Sequence, residues 1–262
     1  MVLVAVTGMV GFALVKKTPT PAPSGGGANA GRVLQAVPDS TLSAVGLQTG
    51  VTQPTRLPSG TPALMQDGKP EVLYIGAEYC PFCAAQRWAL ILALSRFGSF
   101  TGLSATHSSS TDVFPNTPTF TFHGSRYTSA YLSFTGVEQT TNQPDGNGGY
   151  ILLDTTTAAE QDMLQRFDVA PYTNQPRAIP FLLLGNGFVA IGSGFPPSLL
   201  VGMTVDDVAA KLTDPTDPVT MGILGAANTM IAALCELTGG QPSKVCSAPF
   251  VQQIQAAFPP AP

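Results

Sequence analysis

Two cysteines stand three residues apart in Glu78-Tyr79-Cys80-Pro81-Phe82-Cys83, and no other residues of this chain are as well placed for chemistry. A thiolate is both a nucleophile and a soft metal ligand, so the pair can exchange disulfides, form a static bond, or supply half of a metal site. The flanking sequence favours exchange. EVLYIGA, residues 71 to 77, is a short apolar run with β-branched and aromatic side chains, which predicts a buried strand. AAQRWALILALSRF follows Cys83 and predicts a largely buried helix carrying Trp88, Leu90, Ile91, Leu92 and Leu94. The cysteines therefore fall where a strand becomes a helix. A sulfur there meets unpaired backbone N–H groups and the positive end of the helix dipole, both of which favour thiolate, so Cys80 is expected to attack. Cys83, one turn further in, is expected to resolve a mixed disulfide formed at Cys80. Pro81 suits the first turn because its missing N–H would have had no partner. Phe82, with Tyr79, adds apolar surface.

A zinc site needs about four N or S ligands at suitable spacing. The remaining candidates, His107, His123, Cys235 and Cys246, are scattered and include no second C-x-x-C. Copper(I) would take the pair together with a histidine or methionine. His107 lies in a Ser/Thr-rich stretch and His123 beside a glycine, and both read as ordinary surface histidines. No metal and no cofactor is expected. Cys235 and Cys246 flank the turn Gly239-Gly240-Gln241-Pro242, and a structural disulfide is the first reading for them, a second redox pair the other. Four cysteines dividing into two pairs point to an oxidising compartment.

The elements that must position these residues follow from the rest of the chain. Partial alternation predicts strands over 102 to 110 and 130 to 138, with an extra strand over 118 to 124, while NQPDGNGG (142 to 149) reads as an exposed loop. AAEQDMLQRF (158 to 167) predicts a helix. Phe181 to Leu184 and Phe188 to Ile191, separated by Gly185-Asn186-Gly187, predict a hairpin. TVDDVAAKL (204 to 212) predicts a helix with Thr204 as N-cap and two aspartates in its first turn. Beyond Pro218 the small and apolar residues predict two more helices.

The ends differ in character. Residues 1 to 17 open on MVLVAVTGMVGFALV and close on Lys16-Lys17. As a helix the apolar run spans about 22 Å against a hydrocarbon core of roughly 30 Å, so it is read as a membrane anchor, possibly truncated, or as a signal segment. TPTPAPSGGGANAG (18 to 31) reads as a flexible tether. Residues 32 to 69, broken by prolines, read as an irregular lead-in with one short helix. The totals agree with a globular, loop-rich chain: 262 residues, 44% hydrophobic, 11% charged, with 27 glycines and 24 prolines. A net charge of -4 with no basic cluster beyond Lys16-Lys17 gives no footprint for nucleic acid.

A strand, a C-x-x-C at a helix start and, much later, Ile179-Pro180 heading an apolar hairpin form an order that resembles the thioredoxin-like superfamily across residues 70 to 213. Ala77-Glu78-Tyr79-Cys80 is similar to the segment before the pair in thioredoxins. The whole chain, with its apolar start and YIGAEYCPFCAAQRW, looks like a prokaryotic membrane-anchored family catalogued as domain of unknown function 929. The resemblance implies an α/β fold: a three-layer α/β/α sandwich with a central mixed sheet, an irregular N-terminal lead-in and a helical C-terminal extension over 214 to 262. It implies an X-cis-Pro at Ile179-Pro180 beside the sulfurs, with Pro180, Ile179, Pro81 and Phe82 facing a substrate peptide. Two departures stand out. Tyr74 occupies the place of the buried acid that thioredoxins carry before the pair, and Pro-Phe replaces Gly-Pro between the cysteines. The function expected is a membrane-anchored extracytoplasmic thiol:disulfide oxidoreductase acting on exported proteins with thiols or disulfides, alongside a membrane redox partner or complex. The rival expectation is a non-catalytic accessory subunit of a membrane complex with structural disulfides.

Overall fold

A computed structural model describes residues 26–262. The expected anchor and the first part of the expected tether lie outside the described residues. The chain begins with α1 (Gly26–Gln35) and α2 (Asp39–Val45), followed by β1 (Thr55–Arg56), β2 (Met65–Gln66), β3 (Lys69–Gly76) and α3 (Pro81–Leu94). Seven short strands come next: β4 (Gly98–Thr101), β5 (Ser104–His107), β6 (Pro118–Thr121), β7 (Arg126–Ser129), β8 (Ser133–Glu138), β9 (Thr140–Pro144) and β10 (Tyr150–Leu152). Then follow α4 (Ala158–Phe167), β11 (Phe181–Leu184), β12 (Phe188–Ile191), a 3-10 turn at Pro197–Leu200, α5 (Val205–Lys211), α6 (Pro218–Leu237), α7 (Ser243–Cys246) and α8 (Pro249–Ala257).

β3 is the centre of a mixed sheet. It runs antiparallel to β11, with Leu182 opposite Tyr74, and parallel to β8, with Gly76 opposite Glu138. β12 and then β1 continue the sheet beyond β11, and β2 pairs with the first two residues of β3. Because successive side chains of a strand point to opposite faces, the sheet feeds two cores. Val72, Tyr74, Leu182, Leu184 and Phe188 pack with α3 and α6 in the larger one. Leu73, Ile75, Phe181, Leu183 and Val189 pack with Phe167 of α4, and with Met163 and Leu164 at its edge, in the smaller one. The result is an α/β sandwich with helices on both sides of a mixed sheet.

α3 is apolar on nearly every face, which suits a helix covered all round. Every residue except Phe82 is buried. Its Trp88 Nε1–H donates to the Pro118 carbonyl at 2.8 Å, which ties the helix to β6. The helical C-terminal extension packs into the same core. α6 is long and apolar enough to cross a membrane by length and composition, yet 83% of its apolar window is buried within the fold. Buried Asn228 on α6 donates to the carbonyls of Leu42 and Gly46, both at 2.9 Å, and so anchors the end of α2.

Several local expectations shift. The tract expected as a tether is helical from Gly26, since ANAGRVLQ continues into residues whose Leu34 is fully buried. The lead-in holds the one short helix expected, α2, after the end of α1, and it also completes the sheet, with Thr55 opposite Val189. The strand expected over 102 to 110 is the shorter β5 (Ser104–His107), and an unexpected strand, β4, precedes it, the two divided by Gly102 at φ 74°, a conformation open to glycine at little cost. The loop expected over 142 to 149 begins inside β9, whose pairing with β10 makes a hairpin.

Candidate redox site

The turn from β3 into α3 places Cys80 as the N-cap residue of α3, with Pro81 at the first helical position. The Cys83 backbone N–H donates to Cys80 Sγ at 3.3 Å, so the sulfur takes the place a serine or aspartate oxygen fills at most helix starts. On its other side the Cys80 thiol donates to the Ile179 carbonyl at 3.8 Å. The Ile179-Pro180 peptide bond is cis, Pro180 is buried, and β11 starts one residue later. The structure thus brings together Cys80, Cys83, Pro81, Ile179 and Pro180. Cys80 and Cys83 are both free thiols. Cys80 retains 5% exposure and Cys83 none, so an incoming sulfur meets Cys80 first.

Aromatic pairs flank the sulfur. Tyr79 stacks on Tyr150 of β10 at 4.2 Å between ring centroids, and Phe82 meets Phe114 edge-on at 6.0 Å. Phe82 is 38% exposed, consistent with a surface position beside the site. Trp88 is fully buried in the core and faces no substrate.

The two thiols are held apart electrostatically. The Cys83 thiol and N–H, the charge of Arg87 and the Phe82 N–H draw the Cys80 thiol below the ordinary cysteine range, against the opposing effect of burial. Burial first, then the neighbouring Cys80, pushes the Cys83 thiol well up, while Arg87 and the Ala77 N–H pull it down. Burial and the proximity of Cys80 also push Tyr79 up to about 12. The more acidic thiol suits Cys80 to the attack, while Cys83 stays protonated in the free dithiol and leaves that attack to Cys80.

Beneath the pair lies an ion pair that the sequence reading missed. Arg87 Nε and Nη2 donate to the two carboxylate oxygens of Glu138 at 2.7 and 2.6 Å, and both residues are fully buried. Arg87 Nη2 also donates to the Ala77 carbonyl at 2.8 Å. A lone arginine inside an otherwise apolar helix and a lone glutamate ending the strand SFTGVE were the available signals. Tyr74 lies beside them, its ring centre 5.8 Å from Arg87 Cζ, with a buried hydroxyl that has no partner. The pairing of β8 with β3 delivers Glu138 to this place, opposite Gly76.

The other candidates lie apart. Cys235 and Cys246 form a disulfide that joins α6 to α7, with Cα atoms 5.4 Å apart. His107 and His123 are exposed, and His123 pairs with Asp154 at 2.8 Å. Among the described residues no group of three or more His, Cys, Asp or Glu is placed to hold a metal ion.

A family model described as a domain of unknown function (DUF929) matches residues 60–236, which is well over half of the chain and takes in every residue of the site. No curated protein and no solved structure matches the chain.

Proposed function

We propose that this chain, which belongs to the DUF929 family, is a thiol:disulfide oxidoreductase that works through Cys80 and Cys83 on the thiols or disulfides of exported proteins. The observation that carries the reading is the position of Cys80: a free sulfur capping a helix start, supported by the Cys83 N–H and lying against the Ile179 carbonyl. In the reducing direction, the Cys80 thiolate attacks one sulfur of a substrate disulfide and the other leaves as a thiolate. Cys83 then attacks Cys80, the Cys80–substrate bond breaks, and the substrate sulfur departs with the electron pair. Two electrons pass from the dithiol to the substrate, and the reverse sequence oxidises it. Pro180, Ile179, Pro81 and Phe82 would line the approach of the substrate backbone. The domain would stand on the extracytoplasmic side, tethered through the N-terminal apolar segment, where the Cys235–Cys246 disulfide would also persist.

Alkylation against pH tests this reading. With iodoacetamide, the reduced protein should modify Cys80 with a midpoint below that of an ordinary thiol, while Cys83 stays inert until far more alkaline pH, as read by mass spectrometry of each peptide. The sign follows from the environment: Cys80 is stabilised as thiolate in the fold, so its reactivity persists as pH falls below the unfolded-state value and is lost on passing through the folded one. Two thiols that react alike, at or above the ordinary value, would contradict it.

The accessory-subunit reading has its own support. Leu152 at 83%, Val113 at 65% and Ile151 at 49% are strongly exposed apolar side chains, and they lie on the two segments that meet Tyr79 and Phe82. A partner surface resting there would suit a docking role as well as substrate capture.

A further inference from the structure

Arg87 lies four residues beyond Cys83 on α3, hence on the same helix face and one turn deeper. Helical side chains lean toward the N-terminus of their helix, which carries the guanidinium back under the sulfurs. Its bond to the Ala77 carbonyl, three residues before Cys80, fixes it there. Nε and Nη2 are taken by Glu138 and Ala77, and buried Nη1 has no partner while both cysteines are thiols. The carboxylate lies on the strand side, since Glu138 ends β8 opposite Gly76 and also takes the Phe122 N–H at 3.4 Å. The ion pair is therefore oriented, with guanidinium toward the thiols and carboxylate away from them.

The two halves of the exchange use this charge differently. In the free dithiol the Cys80 sulfur opposes ionisation of Cys83. In the mixed disulfide Cys80 carries no charge and that opposition ends. What then acts on Cys83 is burial on one side and Arg87 with the Ala77 N–H on the other. We propose that Arg87, oriented by Glu138, is the positioning residue of the resolving step, supplying the positive charge against which the Cys83 thiolate forms. In that step the Cys83 sulfur bonds to Cys80, the Cys80–substrate bond breaks with its electron pair leaving on the substrate sulfur, and the proton given up by Cys83 S–H is the one the departing substrate thiolate takes up through solvent. The inference rests on the oxidoreductase reading given above.

The test uses dithiobis(nitrobenzoate), an aromatic disulfide that releases one coloured thiolate when Cys80 attacks and a second when Cys83 resolves. The groups around Cys83 are Cys80 at the cap of α3, Arg87 on α3 and Tyr74 on β3, with Glu138 of β8 behind Arg87, and the pH profile of the second phase reports their joint effect. In an Arg87→Met, Glu138→Met double variant, shown to be folded by circular dichroism, the midpoint of the second phase should rise. Resolution at neutral pH then slows about tenfold for each unit of that rise. The deficit should vanish at alkaline pH, and the first phase should change less. Glu138→Gln removes only the counter-charge, so its second-phase midpoint should move the opposite way, downward. Opposite signs from the two variants are not expected of a merely structural pair. Two normal phases in the parent protein with an unchanged second-phase profile in either folded variant would overturn this inference alone. A parent protein that releases no coloured thiolate through Cys80, or never resolves, would overturn the oxidoreductase reading and this inference with it.

Discussion

Replacing Cys83 with serine should turn a transient adduct into a durable one: a mixed disulfide between Cys80 and its partner that builds toward one equivalent per chain. The parent protein should hold almost none. The geometry sets this expectation. Cys80 is the sulfur with residual exposure, it lies against the Ile179 carbonyl, and Cys83 is sealed one turn below it. Serine keeps the backbone N–H that donates to Cys80 Sγ, so the attacking sulfur retains its cap, while the hydroxyl cannot displace a disulfide. Cys80→Ser should abolish capture, because buried Cys83 is not reached by a protein substrate. The measurement is non-reducing electrophoresis after acid quenching, with mass spectrometry of the captured species. A folded Cys83→Ser protein that captures nothing, or one that captures equally well after Cys80→Ser, would contradict the assignment of roles.

The second large effect concerns stability. Arg87→Met alone should cost about 3 to 5 kcal/mol, since it leaves the Glu138 carboxylate buried with its main partner gone. Burial already pushes the Glu138 carboxyl up and the arginine pulls it back. Loss of Arg87 therefore raises that carboxyl further, and the damage should lessen at acid pH, where Glu138 takes a proton. Adding Glu138→Met should recover most of the loss, because a pair of apolar residues of similar size leaves no charge to desolvate. Denaturant unfolding of the two variants, at neutral and at acid pH, checks both statements. A single variant as stable as the double at neutral pH would show that the pair is not closed to water.

Much of the fold was legible in short-range signals. Gly185-Asn186-Gly187 between two apolar runs marked the β11–β12 hairpin to the residue, and Thr204 caps α5 through the Asp207 N–H as its sequence indicated. Thr157 and Glu160 close a similar box at the start of α4. Cys80, Cys83 and the Ile179-Pro180 corner were legible because their residue types are rare and their order along the chain is distinctive. Arg87 and Glu138 were not legible, for a physical reason. They are 51 positions apart, and only the parallel pairing of β3 with β8 carries Glu138 to the end of β3, under the cysteine turn. The lead-in was misjudged for a similar reason. Its first strand gains its place from a partner far along the chain, Val189 for Thr55, and not from local periodicity, while the second is only two residues long and closes a tight turn onto Lys69 and Pro70.

The central claim is that Cys80 and Cys83 cycle between thiol and disulfide, and the reduction potential of the pair in the intact protein tests it most directly. Equilibration with glutathione buffers of known ratio, followed by acid trapping and mass spectrometry of the Cys80–Cys83 peptide, gives the value. The account predicts a reversible transition above about -300 mV, within reach of cellular thiol couples. A bond that stays closed far below that value, or two thiols that never join under oxidising buffer, would contradict it.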